Sequence, residues 1–148
     1  MLRMSKLTDY GTVVLAQMAR TPDKRFTAPE LAELTSVAAP TVAKLLKALG
    51  RAGLLDSLRG AHGGYSLARP PERISAVDII DAIEGPVALT ECSTGHSNCT
   101  IQADCSVGSN WQQINIGIRR ALEGVSLAEL ARPMTIPLLD LRKRHVHP

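Results

Sequence analysis

Three cysteines stand in one short stretch, Cys92-x6-Cys99-x5-Cys105, of a chain that contains no other cysteine. Thiolates are soft ligands, suited to iron–sulfur clusters and to zinc. Structural zinc sites usually take their thiols as closely spaced Cys-x2–4-Cys pairs, and the wider spacing here favours a cluster. A thiol switch that closes disulfides is the third chemistry open to these residues. Three sulfurs leave one coordination position to fill. His96 lies in the same stretch, Glu91 adjoins Cys92, and Asp9 stands far upstream. The simpler role for Asp9 is that of an acid near the start of a helix, where negative charge suits the macrodipole.

A second set of residues suggests binding. Val42, Leu45, Leu46 and Leu49 recur at i, i+3, i+4 and i+7, the buried stripe of a helix that begins at Pro40. Pro40, Lys44, Lys47 and Arg51 then fall on the opposite stripe, with no acid between Pro40 and Arg51. Such a face can enter a major groove, with Lys44, Lys47 and Arg51 near phosphates or base edges and Thr41 at the helix start. Downstream, Arg59-Gly60-Ala61-His62-Gly63-Gly64-Tyr65 reads as a glycine-tipped hairpin between strands at 54–58 and 65–67. Gly63, Gly64 and Tyr65 would bring that hairpin to a minor groove, with Arg59 and His62 as the reaching side chains.

The elements that must position these groups follow from caps and periodicity. A first helix over 8–20 places Tyr10, Val13, Val14 and Met18 inward. Thr27 with Glu30 forms a capping box for a second helix that buries Leu31 and Leu34. Residues 36–38 make a turn into the third helix, and Gly53 ends it. Ser75 with Asp78 starts a fourth helix that buries Ala76, Ile79, Ile80 and Ile83, and Gly85-Pro86 stops it. Residues 90–108 read as a loop. Ser109 with Gln112 caps a last long helix over 109–125, whose Trp111, Ile114, Ile118 and Leu122 form a near-heptad seam suited to a dimer. Ser126 with Glu129 starts a short final turn of helix, and the segment from Arg142 onward is basic. The fold class is therefore mainly α, a winged helix-turn-helix with a long C-terminal dimerisation helix. Residues 1–73 form the DNA-binding module; residues 74–148 hold the fourth helix, the cysteine loop, the dimerisation helix and the basic tail.

Charge agrees with this division. The net charge is +5 over residues 1–73, −4 over 74–125 and +2 over 126–148. A basic front suits a polyanion such as double-stranded DNA. Neither a signal-peptide pattern nor a membrane-length apolar run occurs, so a cytoplasmic protein without a membrane partner is expected, in which thiols stay reduced. The sequence has no Cys-x-x-Cys pair, Walker loop, dinucleotide fingerprint or His-Glu-x-x-His. That argues against an enzyme and against a small-molecule substrate. A zinc-dependent adaptor stands as the alternative among binding proteins.

Leu-Thr-Asp-Tyr-Gly at 7–11, the Arg-Gly-Ala-His-Gly-Gly-Tyr hairpin at 59–65 and the cysteine triplet together resemble the IscR/NsrR-type winged-helix regulators. Among these, the branch that regulates the SUF iron–sulfur assembly operon is the most similar. The resemblance spans roughly residues 1–130. It implies a homodimer bound to a palindrome-like operator, acting as a repressor of iron–sulfur assembly genes and switched by a 2Fe-2S or 4Fe-4S cluster on Cys92, Cys99 and Cys105. A nitric-oxide-sensing or thiol-redox-sensing repressor is the alternative. The resemblance also bears on the fourth ligand. The IscR type has a histidine where this chain has Gly108, and the nitric-oxide-sensing type uses an aspartate from the partner's first helix, at a position that Asp9 matches. The IscR recognition helix carries a glutamate at the place of Ala43, which implies a different operator preference.

Overall fold

The computed structural model describes residues 3–93, 99–101 and 104–133. Three helices come first: α1 (Lys6–Ala19), α2 (Ala28–Thr35) and α3 (Ala39–Arg51). Ser5 caps α1 by accepting from the Thr8 N–H. The helix therefore begins two residues before the expected start, because a serine followed three residues later by threonine lacks the Glu or Gln that marks a capping box. Thr27 and Glu30 form the full reciprocal box on α2. Between α2 and α3, Ser36 adopts a left-handed conformation (φ 58°). This reverses the chain within three residues and seats Val37 in the core.

The core is aliphatic apart from Phe26. Val42, Leu45, Leu46 and Leu49 of α3 have no exposed surface and meet Val14, Leu15 and Met18 of α1, Leu31 of α2 and Ile79 of the fourth helix. Truncating one such leucine to alanine costs about 2–5 kcal/mol, enough to threaten a domain of ordinary stability. Some expected core positions are corrected. Tyr10 and Val13 of α1 and Leu34 of α2 are exposed, because these helices are covered on one narrow stripe only.

Two antiparallel strands, β1 (Leu55–Leu58) and β2 (Gly64–Leu67), form a hairpin in which Leu55 faces Leu67 and Leu58 faces Gly64. Gly53 (φ +76°) turns the chain from α3 into β1. Phe26 pairs with Tyr65 through two 2.8 Å backbone hydrogen bonds, so β2 is fastened to the segment between α1 and α2. At Gly64 (φ +135°) a Cβ would stand 2.7 Å from the Phe26 carbonyl oxygen, so this close approach requires glycine. Three helices followed by a docked hairpin make a winged helix-turn-helix.

After a short 3-10 turn (Pro71–Arg73), α4 (Ala76–Glu84) is capped by the Ser75–Asp78 box. It buries Val77 and Ile79; Ile80 is only partly covered. A second 3-10 turn (Glu91–Ser93) precedes α5 (Gly108–Glu123), which begins one residue before the expected cap and has no side-chain cap. The last element, α6 (Leu127–Leu130), returns to the first half of the chain. Its Ser126–Glu129 box is formed, and Ala76 N–H to Val125 O (2.8 Å) and Leu127 N–H to Ile74 O (2.7 Å) fasten it at the foot of α4. Leu127, fully buried, joins the same core as α1–α3.

Candidate nucleic-acid interface and thiol site

Burial of one face of α3 fixes what the other presents. Lys44, Lys47 and Arg51 are exposed, Thr41 is half-buried at the helix start, and the helix holds no acid. Arg59 and His62 are exposed at the hairpin tip. These six residues therefore lie on α3 and on the hairpin that follows it. The remaining wing residues, Gly63, Gly64 and Tyr65, are half-buried. Gly63 packs against the Leu58 carbonyl oxygen, Gly64 lies against Phe26, and Tyr65 is packed on the core rather than pointed outward.

All three cysteines are partly buried thiols. Cys92 lies in the 3-10 turn that packs on α5, with its Sγ 3.0 Å from Thr90 Oγ1. Cys105 stands just before the first turn of α5, against Gly108. Among the described residues, no three His, Cys, Asp or Glu side chains are gathered at one point. The donor set itself, three soft sulfurs from one connection, suits an iron–sulfur cluster. His96 and the basic segment from Arg142 lie outside the described residues. Asp9 is exposed in the first turn of α1, beside a cleft that it lines with Tyr10, Val13, Ser36 and Thr41. No described contact brings it to a thiol.

The α5 seam divides. Trp111 and Ile114 are 44% and 48% exposed, an apolar face without cover among the described residues. Ile118 and Leu122 instead line a cleft of about 490 Å³ with Ile80, Pro86 and Met4.

Polar residues that sequence patterns did not single out tie these parts together. Asp81 of α4 makes a two-pronged ion pair with Arg119 of α5, at 3.2 and 3.0 Å, and its carboxylate raises the Arg119 pKa. Glu84, the last residue of α4, accepts from the Thr8 hydroxyl and, at 2.9 Å, from the Ser5 N–H at the start of α1. The Thr8 hydroxyl, then the Ser5 side chain and backbone, hold its pKa below the ordinary value. α4 thus places one carboxylate on α5 and one on the start of α1. The only sequence sign of this was a pair of acids, Asp81 and Glu84, three apart on one helix.

Comparison with known proteins agrees with this architecture. The profile of the Rrf2 family, described as an iron-dependent transcriptional regulator, matches residues 4–133. Protein aau3 of Rhizobium meliloti (strain 1021) is 30% identical over 145 residues, which cover 96% of this chain and 94% of that protein. Among solved structures, CymR (YrzC), the global cysteine regulator of B. subtilis, superposes with a TM-score of 0.68 at 28% identity, covering 88% of this chain and 97% of that one. IscR of T. potens gives 0.63 at 28% identity, covering 87% and 85%.

Proposed function

Because the chain belongs to the Rrf2 family of iron-dependent transcriptional regulators, and is therefore a DNA-binding regulator rather than an enzyme, we propose that it is a homodimeric repressor of iron–sulfur assembly genes whose grip on DNA follows an iron–sulfur cluster held by Cys92, Cys99 and Cys105. The observation that carries this reading is the pairing, in one small fold, of an acid-free cationic face on α3 with a three-thiol connection packed against α5. The α3 helices of two protomers enter successive major grooves, Lys44, Lys47 and Arg51 neutralise phosphates, Thr41 touches a base or phosphate, and Arg59 and His62 reach from the wing. Trp111 and Ile114, exposed in one chain, pack against their counterparts across the dimer. When bound, the cluster supplies redox and ligand-exchange chemistry to which the thiol loop responds. Asp9 of the partner subunit is the candidate fourth ligand, on the strength of the resemblance alone.

The chain's own residues pass the state of the loop to the DNA-binding half. Arg119 and Asp81 join α5 to α4, and Glu84 joins α4 to the first turn of α1. The test is operator binding at fixed salt by the anaerobic, cluster-loaded protein and by a Cys92→Ala, Cys99→Ala, Cys105→Ala triple variant. At least a tenfold difference, the order of ordinary allosteric coupling, is expected. Equal affinity would remove the sensing role. One observation favours a second reading, direct thiol oxidation without a cluster: the described residues do not gather the three sulfurs at one point. Under that reading, oxidant alone changes the affinity of colourless protein.

A further inference from the structure

Asn115 is out of place by ordinary rules. Asparagine is a poor helix former, and a buried carboxamide is costly unless its hydrogen bonds are met. Yet Asn115 is only 6% exposed in the middle of α5, while its neighbours Ile114 and Ile116 are 48% and 42% exposed. Its bonds run to the connection that follows α4. Oδ1 accepts from the Leu89 N–H at 3.1 Å, and Nδ2 donates to the Val87 carbonyl at 3.4 Å. Asp81 Oδ1 accepts from the Val87 N–H at 2.9 Å. Three backbone groups of residues 87–89 are thus held by side chains of α4 and α5.

What this backbone carries is Thr90. Its hydroxyl lies 3.0 Å from Cys92 Sγ and 2.9 Å from Ser93 Oγ, and its carbonyl accepts from the Ser93 N–H at 3.0 Å. The path from α5 to the sulfur is short and continuous: the Asn115 carboxamide, the 87–89 backbone, the Thr90 hydroxyl, Cys92. We infer that Asn115 is a positioning residue for Cys92, holding that thiol against α5 before any ligand arrives, with Thr90 as the hydroxyl that orients the sulfur. This rests on the reading of Cys92 as a working thiol and deepens it, by making one of the three sulfurs a fixed anchor. Outer partners that orient a ligand tune metal sites strongly, so the arrangement would set how readily Cys92 engages iron.

The experiment reads the thiol itself in the full, reduced, metal-free chain. Cys99 and Cys105 are changed to serine, leaving Cys92 as the sole thiol, and its alkylation by iodoacetamide is timed. Asn115→Leu, similar in size, removes both bonds and should speed alkylation roughly thirtyfold, the factor expected for losing two hydrogen bonds of about 1 kcal/mol net each. Asn115→Asp keeps the acceptor for the Leu89 N–H and should fall between the two. A Cys105-only chain carrying Asn115→Leu reports general loosening and should react at its unaltered rate. Rates for Cys92 within twofold of the parent would overturn the inference, and so would equal acceleration of Cys92 and Cys105. Iron and sulfide uptake by the parent chain separately reports the cluster reading, so failure of either is visible without the other.

Discussion

Lys44 gives the sharpest test of the DNA-binding face. It is exposed on α3, away from the core stripe, and alanine is a better helix former, so Lys44→Ala should leave folding intact. If Lys44, Lys47, Arg51 and Arg59 each meet one phosphate, a dimer makes eight contacts, and log Kd against log salt has a slope of about 7 in magnitude. The variant loses two contacts per dimer, which lowers that slope by about 1.8. Over a fourfold rise in salt, the parent therefore loses roughly tenfold more affinity than the variant does. The assay is fluorescence anisotropy on an operator duplex and on an unrelated duplex from 50 to 200 mM salt. The loss should appear on both, since phosphate contacts carry no sequence information. An unchanged slope would take Lys44 off the phosphates. A slope lowered by only about 0.9 would mean that one protomer binds, contradicting the two-groove arrangement.

Gly64→Ala should destabilise the fold by more than about 1 kcal/mol in urea unfolding, because the new Cβ meets the Phe26 carbonyl at a positive φ. The Glu84 carboxylate binds protons less readily folded than unfolded, so its stabilisation is complete above the unfolded value near 4.5 and is lost as pH falls through the lower folded value. Melting curves from pH 7 to 3 should show Glu84→Gln flattening that acid limb, and an unaltered limb would contradict the contact with Ser5 and Thr8. Trp111→Ala removes two indoles per dimer. At about 2 kcal/mol for each hot-spot aromatic, sedimentation should show the dimer constant weakened roughly a thousandfold.

The residues that periodicity governs could be read in advance. Four aliphatics at i, i+3, i+4 and i+7 suffice to orient α3, and orienting α3 places Lys44, Lys47 and Arg51 outward. Reciprocal capping boxes located the starts of α2, α4 and α6, because each box satisfies two backbone donors that would otherwise lack partners. Periodicity fails where burial depends on a distant neighbour. Tyr10 and Val13 have the spacing of core residues, but among the described residues that side of α1 borders only an open cleft. Asn115 shows the reverse. A polar residue beside Ile114 reads as surface, and only the return of residues 87–89 makes it interior. The glycines of the wing were visible as glycines, yet their reasons differ: Gly64 needs both its positive φ and the room beside Phe26, while Gly63 sits against the Leu58 carbonyl. Cysteine spacing limits the chemistry of the site, since it names soft ligands; it does not say how three sulfurs are disposed in space.

A sensing role requires that those sulfurs hold iron and that the iron changes the grip on DNA. Protein purified without oxygen should be brown. Iron and acid-labile sulfide counted per chain should appear together, and stripping both with a chelator should change operator affinity at least tenfold in the same sample. Colourless protein without sulfide, binding the operator equally before and after chelator, would contradict it.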